Sequence, residues 1–179
     1  IWVKKLILLI LPILILPLWF QSGPTEILKY RIFDALIETP EPSGNFVILN
    51  ITEEDLEREG GWPLPRERLA EIHITLLQKG AIGVAYGIAF PQPDRMGGDE
   101  YFAQALSYAP SVLAIYEDGS KNYPQTTGTI IKGEDIGGIM SEGVKQNLYT
   151  LRQNTLEGLA SAPTEVDQIV RRIPLLYRS

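Results

Sequence analysis

The stretch that decides the fold is Leu56–Phe90, LEREGGWPLPRERLAEIHITLLQKGAIGVAYGIAF. Gly60 and Gly61 can take the positive backbone angles that end a short helix, and Trp62 and Leu64, each before a proline, are pushed toward an extended conformation. The Trp62-Pro63-Leu64-Pro65 turn is therefore stiff. Pro65 suits the first position of a helix, where its missing donor costs nothing, and Leu69, Ile72, His73, Leu76 and Leu77 follow at helical spacing on one face. Gly80 ends that helix. From Ala81 to Phe90 the chain is almost entirely apolar, the pattern of a strand buried on both faces of a parallel sheet. The predicted unit is a helix leading into the sheet's central strand.

Outward from this unit, Pro91–Gly98 reads as a loop, and Asp99 is predicted to cap a helix containing Tyr101, Phe102, Ala105, Leu106 and Ala109. Ser111–Tyr116, SVLAIY, is a further strand. Upstream, the loop Pro40–Gly44 leads into Phe46–Ile51, FVILNI, β-rich and apolar enough for an interior strand. Thr52, with Asp55 three residues on, caps a short acidic helix over Glu53–Glu59, whose carboxylates point in different directions and fit a solvated face better than a metal site. Strand, helix, strand, helix, strand with short links implies parallel pairing through right-handed crossovers. Pro24–Thr39 is predicted as a helix capped by Thr25, with Leu28, Ile32, Ala35 and Leu36 on one face and Asp34 on the wet side. Glu117–Asn147 is polar and glycine-rich, with one strand expected over Gly128–Lys132, and Val166–Arg178 is expected to return to the sheet.

Composition bounds the function. A chain of 179 residues, 45% hydrophobic, accommodates one compact domain and a short extra segment. Twenty-two acidic against 16 basic residues, with no basic stripe, disfavours a nucleic-acid partner. The absence of cysteine removes disulfides, thiolate metal sites and cysteine nucleophiles. After Lys4-Lys5, the run Leu6–Phe20 spans about 22 Å as a helix against a hydrocarbon core of about 30 Å, and Ile1–Val3 bring it close to a full crossing. Trp2 and Trp19 suit the two interfaces, and the lysine pair keeps the N-terminal end cytoplasmic, so residues 1–23 read as an uncleaved transmembrane anchor. A secretory signal is the rival reading, but Phe20-Gln21-Ser22-Gly23 lacks a good small-x-small cleavage site, and a buried soluble helix is the third. The chain starts at Ile and is expected to be a piece of something longer.

The GGWPLPR turn, the helix ending QKGA and the apolar strand running into IAFPQPD together resemble the CHASE2 family of extracytoplasmic sensor domains. Upstream, YRIFDALIETP and FVILNITEEDL are similar to the family's opening helix and first strand. Downstream, VDQIVRRIPLL is similar to its arginine-pair and proline segment, past which family members usually continue. The resemblance implies a mainly parallel, three-layer α/β domain over residues 24–179, incomplete at its C-terminus, that feeds a cyclase or kinase through a transmembrane helix. It also implies a bacterial inner membrane, with residues 24–179 on the periplasmic or extracellular side. The expected partners are the bilayer through residues 1–20, a second copy of the chain, and an unknown small ligand or partner protein. No cofactor is implied, and the chain itself is not expected to be an enzyme.

No G-x-x-x-x-G-K loop, G-x-G-x-x-G turn or G-x-S-x-G elbow occurs, so nucleotide binding and serine-hydrolase chemistry lack support. The single histidine, His73, falls on the buried helix face and reads as a packed, hydrogen-bonded side chain. Ligands of open parallel sheets collect beyond the carboxyl ends of the strands. There the family commonly carries acids where this chain has Asn50, Thr52 and Gly87, so any cation or polar-ligand capacity of those acids is lost here. The ligand-binding candidates on that rim are Trp62, Arg66, Asp94, Asp167 and Arg171. Trp62 is either a stacking surface or a plug that packs the turn onto the sheet. Arg66, opposed by the dipole of its own helix, calls for a carboxylate such as Asp94 or Asp167, or an anionic ligand. Arg171 and Arg172 match the family's arginine pair, and salt bridging within the fold is their simpler role. A sensory input domain is the leading reading; a structural or assembly protein and an extracytoplasmic enzyme are the alternatives.

Overall fold

The computed structural model describes residues 23–38, 40–119, 139–140, 142–173 and 177–178. The chain divides into two compact units, one of Ile1–Ile48 with Pro163–Ile173, the other of Leu49–Ala162 with Pro174–Ser179. The anchor expected over residues 1–23 falls almost wholly outside the described residues, as does the strand expected over Gly128–Lys132. No helix of the described residues is long and apolar enough to cross a membrane.

The larger unit is α/β with a mainly parallel sheet. It opens with α2 (Glu53–Glu59), where Thr52 and Asp55 form the expected reciprocal cap and Gly60, at φ 87°, closes the C-terminus. After the proline turn comes α3 (Arg66–Gln78), with Pro65 one position earlier than expected, at the N-cap. Its helix stops at Gly80, whose φ of 98° lets Ala81 N–H reach back to the Leu76 carbonyl. Strand β1 is only Val84–Tyr86, α4 runs Asp99–Leu106, and β2 spans Ser111–Glu117. Then come β3 (Ile139–Met140), β4 (Val144–Lys145), the short α5 (Tyr149–Arg152) and β5 (Leu156–Leu159). Strand β2 pairs in parallel with β1 and with β5, and its last two residues pair antiparallel with β4. A separate parallel ladder joins β3 to β6 (Tyr177–Arg178).

Three expectations are corrected here. The middle of the sheet is β2, with Leu113, Ala114 and Ile115 buried, whereas β1 pairs only with β2 among the described residues. Ile82 is 92% exposed, because Gly83 and Gly87 break the apolar run on both sides of three paired residues. Phe46–Ile51 forms no strand: Phe46, Val47 and Ile48 are 85–91% exposed and no described segment pairs with them. β-propensity describes fitness for a paired, half-buried surface and does not supply the partner. Val166–Ile173 does not join the sheet either. Glu165 N–H bonds the Ile169 carbonyl and Gln168 takes φ 63°, turning the chain on itself in the smaller unit.

The core is an aromatic cluster. Phe90, Phe102 and Tyr86 meet edge to face at 5.5–6.2 Å between ring centroids, and Leu69, Leu106, Leu113 and Leu151 close around them. His73, fully buried, stacks on Tyr86 and shares a 3.0 Å hydrogen bond with its hydroxyl. Burial lowers the histidine and raises the tyrosine, so both stay neutral near pH 7. Phe90 is fixed by a residue far along the chain. Buried Asn147 accepts from the Phe90 N–H (2.6 Å) and donates through Nδ2 to the Ala114 carbonyl and to Glu157, while Leu148 N–H bonds the Phe90 carbonyl.

Removing that amide with Asn147→Ala is expected to cost about 1–3 kcal/mol, because buried backbone groups of Phe90 and Ala114 lose their partner. Asn147→Asp keeps the acceptor but sets a carboxylate against Glu157, so at pH 7 its urea midpoint should fall below that of the alanine variant. An alanine variant with the midpoint of the unmodified chain would show that this amide contributes nothing to stability.

Candidate functional site

The turn that opens α3 builds a site around a buried arginine. Arg66 is 8% exposed, and its guanidinium carbon sits 4.3 Å over the ring of Phe90. Its closest counter-charge is Asp99, 3.5 Å from Nε, outside hydrogen-bond geometry, so Nε and Asp99 Oδ1 are both buried without a hydrogen bond. The expected link to Asp94 exists through the backbone: Asp94 Oδ2 accepts from the Arg66 and Gly98 N–H groups, and Oδ1 accepts from Met96. Burial raises the Asp94 carboxyl, but these three donors and the nearby arginine outweigh it and hold it below the ordinary range. Burial likewise pulls Arg66 below its ordinary value, opposed by Asp99 and then Asp94, and an arginine remains charged.

Asp99 corrects one expectation. It is the first residue of α4, with Gly98 as N-cap, and its Oδ2 accepts from Asp94 N–H. Gly98 is required because a Cβ there would lie 2.7 Å from the backbone nitrogen of Glu67. Asp94 and Asp99 thus lock the α3 and α4 starts together. Nothing in the sequence separates an acid that caps its own helix from one that reaches back five residues.

Trp62, Arg66 and Asp94 line one cavity of about 490 Å³, together with the proline loops on either side. Trp62 is 55% exposed on its wall, so it is not a plug. The Trp62-Pro63 bond is cis, Gly60 and Gly61 take positive φ, and all four residues line the cavity.

The other two candidates, Asp167 and Arg171, lie in the smaller unit, where Asp167 pairs with Arg171 and not with Arg66 as expected. There α1 (Gly23–Leu36) is held to residues 165–172 by a two-sided fork. Arg171 donates from Nε and Nη2 to Asp34 (2.8 and 2.7 Å) and from Nη1 and Nη2 to Asp167 (2.8 and 2.7 Å), with its guanidinium 4.7 Å over Tyr30. Asp34 is therefore an ion-pair partner, beyond its expected place on the wet side. Tyr30 donates to Glu165, which also accepts two bonds from Arg172. The Arg171 hydrogen bonds hold Asp34 below the ordinary carboxylate range and Asp167 down to about 2.

Two of the positions where the resemblance implies acids, Thr52 and Gly87, have local structural uses. Thr52 caps α2, and the Gly87 carbonyl accepts from Tyr116. Among the described residues no cluster of three or more His, Cys, Asp or Glu side chains could hold a metal.

The model of one protein family, described as the CHASE2 domain, matches residues 7–179. No curated protein and no solved structure matches the chain.

Asp94→Asn turns one acceptor into a donor facing backbone N–H groups, so it is expected to destabilise the larger unit by about 1–3 kcal/mol in chemical unfolding. A neutral result would mean that the loop holds without its carboxylate. In the smaller unit, the Asp167 carboxyl is lower when folded than the ordinary 3.8, so its contribution is complete above 3.8 and is lost as pH falls through about 2. Amide exchange in α1 is expected to accelerate over that window, and an Asp167→Asn variant should exchange faster already at neutral pH.

Proposed function

Because the chain belongs to the CHASE2 family, a family of extracytoplasmic sensory and not catalytic domains, we propose that it is the input module of a membrane receptor. On this reading it passes a signal through an N-terminal membrane helix to a cytoplasmic cyclase or kinase. The observation that carries the proposal is the Arg171 fork. Helix α1 follows directly in sequence on the apolar run Leu6–Phe20, and its Asp34 and Tyr30 are engaged by the segment 165–172. A stimulus that favours one arrangement of that segment would move α1 with it, a shift between two populations of the same chain.

Three donors of one guanidinium suit this role. Two bidentate ion pairs either hold together or release together, since opening one leaves the Arg171 side chain, 7% exposed, short of partners. A helix tied only by apolar contacts would slide by degrees. Half-exposed Leu28, Ile32 and Phe33 offer α1 little such grip.

In the receptor carrying this domain, inserting a flexible glycine-serine linker at Gly23 is expected to uncouple the cytoplasmic output from any stimulus that moves the output of the unmodified receptor. Cyclase or kinase activity in membranes is the measurement. An output that follows the stimulus unchanged overturns the proposed coupling.

A further inference from the structure

The seat of Arg66 has a property that Arg171 lacks. Arg171 makes four side-chain hydrogen bonds, whereas no side-chain hydrogen bond of Arg66 is found among the described residues: its ion-pair partner is the Asp99 carboxylate, 3.5 Å from a buried and unpaired Nε. The fold thus neutralises the charge of Arg66 and leaves its planar set of donors unused, although its side chain is nine-tenths buried. Unmade hydrogen bonds on a buried cation are costly, and the site keeps them. The guanidinium is held by Phe90 beneath it and by the fixed start of α3, so its geometry is set before anything binds.

The cavity that Arg66 lines has a volume within the usual range of small-molecule sites, about 300–1,000 Å³. Its apolar wall is made by Trp62, Pro63, Ile88, Pro91, Pro93 and Met96, and Glu59, Gln92, Asp94 and Arg95 share the lining with Arg66. Trp62 and Met96 are 55% and 73% exposed there. One buried forked cation beside an exposed indole and proline rings is an arrangement for a molecule with one planar anionic end and a flat or apolar body.

We propose that this cavity is the ligand site of the domain and takes a small organic carboxylate, its carboxyl group on the terminal nitrogens of Arg66 and its apolar part against Trp62. This assignment deepens the sensory reading and rests on it for its purpose, though binding itself can be measured without a receptor. A monoanion is favoured over phosphate by charge. Glu59, Asp94 and Asp99 outnumber Arg66 and Arg95 in and beside the cavity, so a dianion would meet an excess of negative charge. Asp94 has its oxygens engaged by backbone N–H groups, which leaves Arg66 as the buried charged group with donors free for a carboxylate.

The test uses the full 179-residue chain in detergent, with phenylacetate, its neutral analogue phenylacetamide and inorganic phosphate as probes, read by calorimetric titration and by melting temperature. Phenylacetate is expected to bind and to raise the melting temperature, and phenylacetamide and phosphate are expected to do neither. Arg66→Lys keeps the charge but loses the fork, and should weaken phenylacetate about tenfold or more. Trp62→Ala, at a half-exposed position where folding is not at stake, should weaken it several-fold and serves if the lysine variant does not fold. Equal binding of acid and amide, phosphate binding in preference to phenylacetate, no binding at all, or phenylacetate affinity unchanged in both variants each overturns the proposal. Carboxylate binding in a receptor whose output ignores the Gly23 linker would retain the site and remove the sensory reading. A receptor uncoupled by the linker whose domain binds no carboxylate would do the reverse.

Discussion

One carboxamide holds the larger unit's geometry together. Asn147 reaches Phe90 after β1, Ala114 in β2 and Glu157 in β5, three segments that are distant in sequence and adjacent in the sheet. A buried amide with its oxygen and nitrogen both engaged tolerates little displacement, because any shift leaves a polar group unpaired in a low-dielectric interior. Phe90 is thereby fixed by its backbone at both N–H and carbonyl, and its ring becomes a rigid floor for two neighbours of opposite character. On one side it packs against Phe102 and Tyr86; on the other it carries the guanidinium of Arg66. The core and the cavity thus share a wall, and the position of the charge follows from the packing.

The two buried arginines divide the chemistry between them. Both lie over an aromatic ring and both have two aspartates within reach, so composition alone would treat them alike. What differs is where the aspartates spend their oxygens. Asp34 and Asp167 turn theirs to Arg171, whose donors are consumed and whose role is to join two pieces of chain. Asp94 turns its own to the backbone N–H groups of the α3 and α4 starts, and Asp99 gives one oxygen to the Asp94 N–H. Those N–H groups would otherwise be orphans at a helix start, and a carboxylate is the natural acceptor there. Satisfying them leaves the arginine with charge compensation but without hydrogen bonds.

Local signals survived the passage from sequence to structure, and those needing a distant partner did not. The Thr52–Asp55 cap, the left-handed Gly60, the stop at Gly80 and the buried face of α3 at Leu69 and His73 depend on residues within a few positions, and each stands where the spacing puts it. Strand Ser111–Glu117 was also legible, since its apolar run is short and bounded. Phe46–Ile51 is also apolar and β-branched but has no ladder among the described residues, so such a run states a preference and leaves the pairing open. Of the site, Trp62, Arg66 and Asp94 were found together because the proline turn and the loop before α4 both fall at the sheet's rim. Asp34 and Arg171 are 137 residues apart, and Asp99 resembles an ordinary helix start, so neither pairing had a readable signal.

The departures from the acids that the family resemblance implies bear on the proposed ligand. At Thr52 the side chain is occupied in capping α2, and at Gly87 no side chain exists, while the backbone there receives the Tyr116 hydroxyl. An aspartate at Gly87 would add negative charge just beyond the end of β1, where ligands of such sheets gather. Its absence leaves the cavity between the proline loops with one buried cation whose donors are unspent and with acids that the backbone already engages. A rim built on carboxylates would draw cations or sugar hydroxyls. On the proposed reading, a rim without such acids suits a ligand that brings its own negative charge to Arg66.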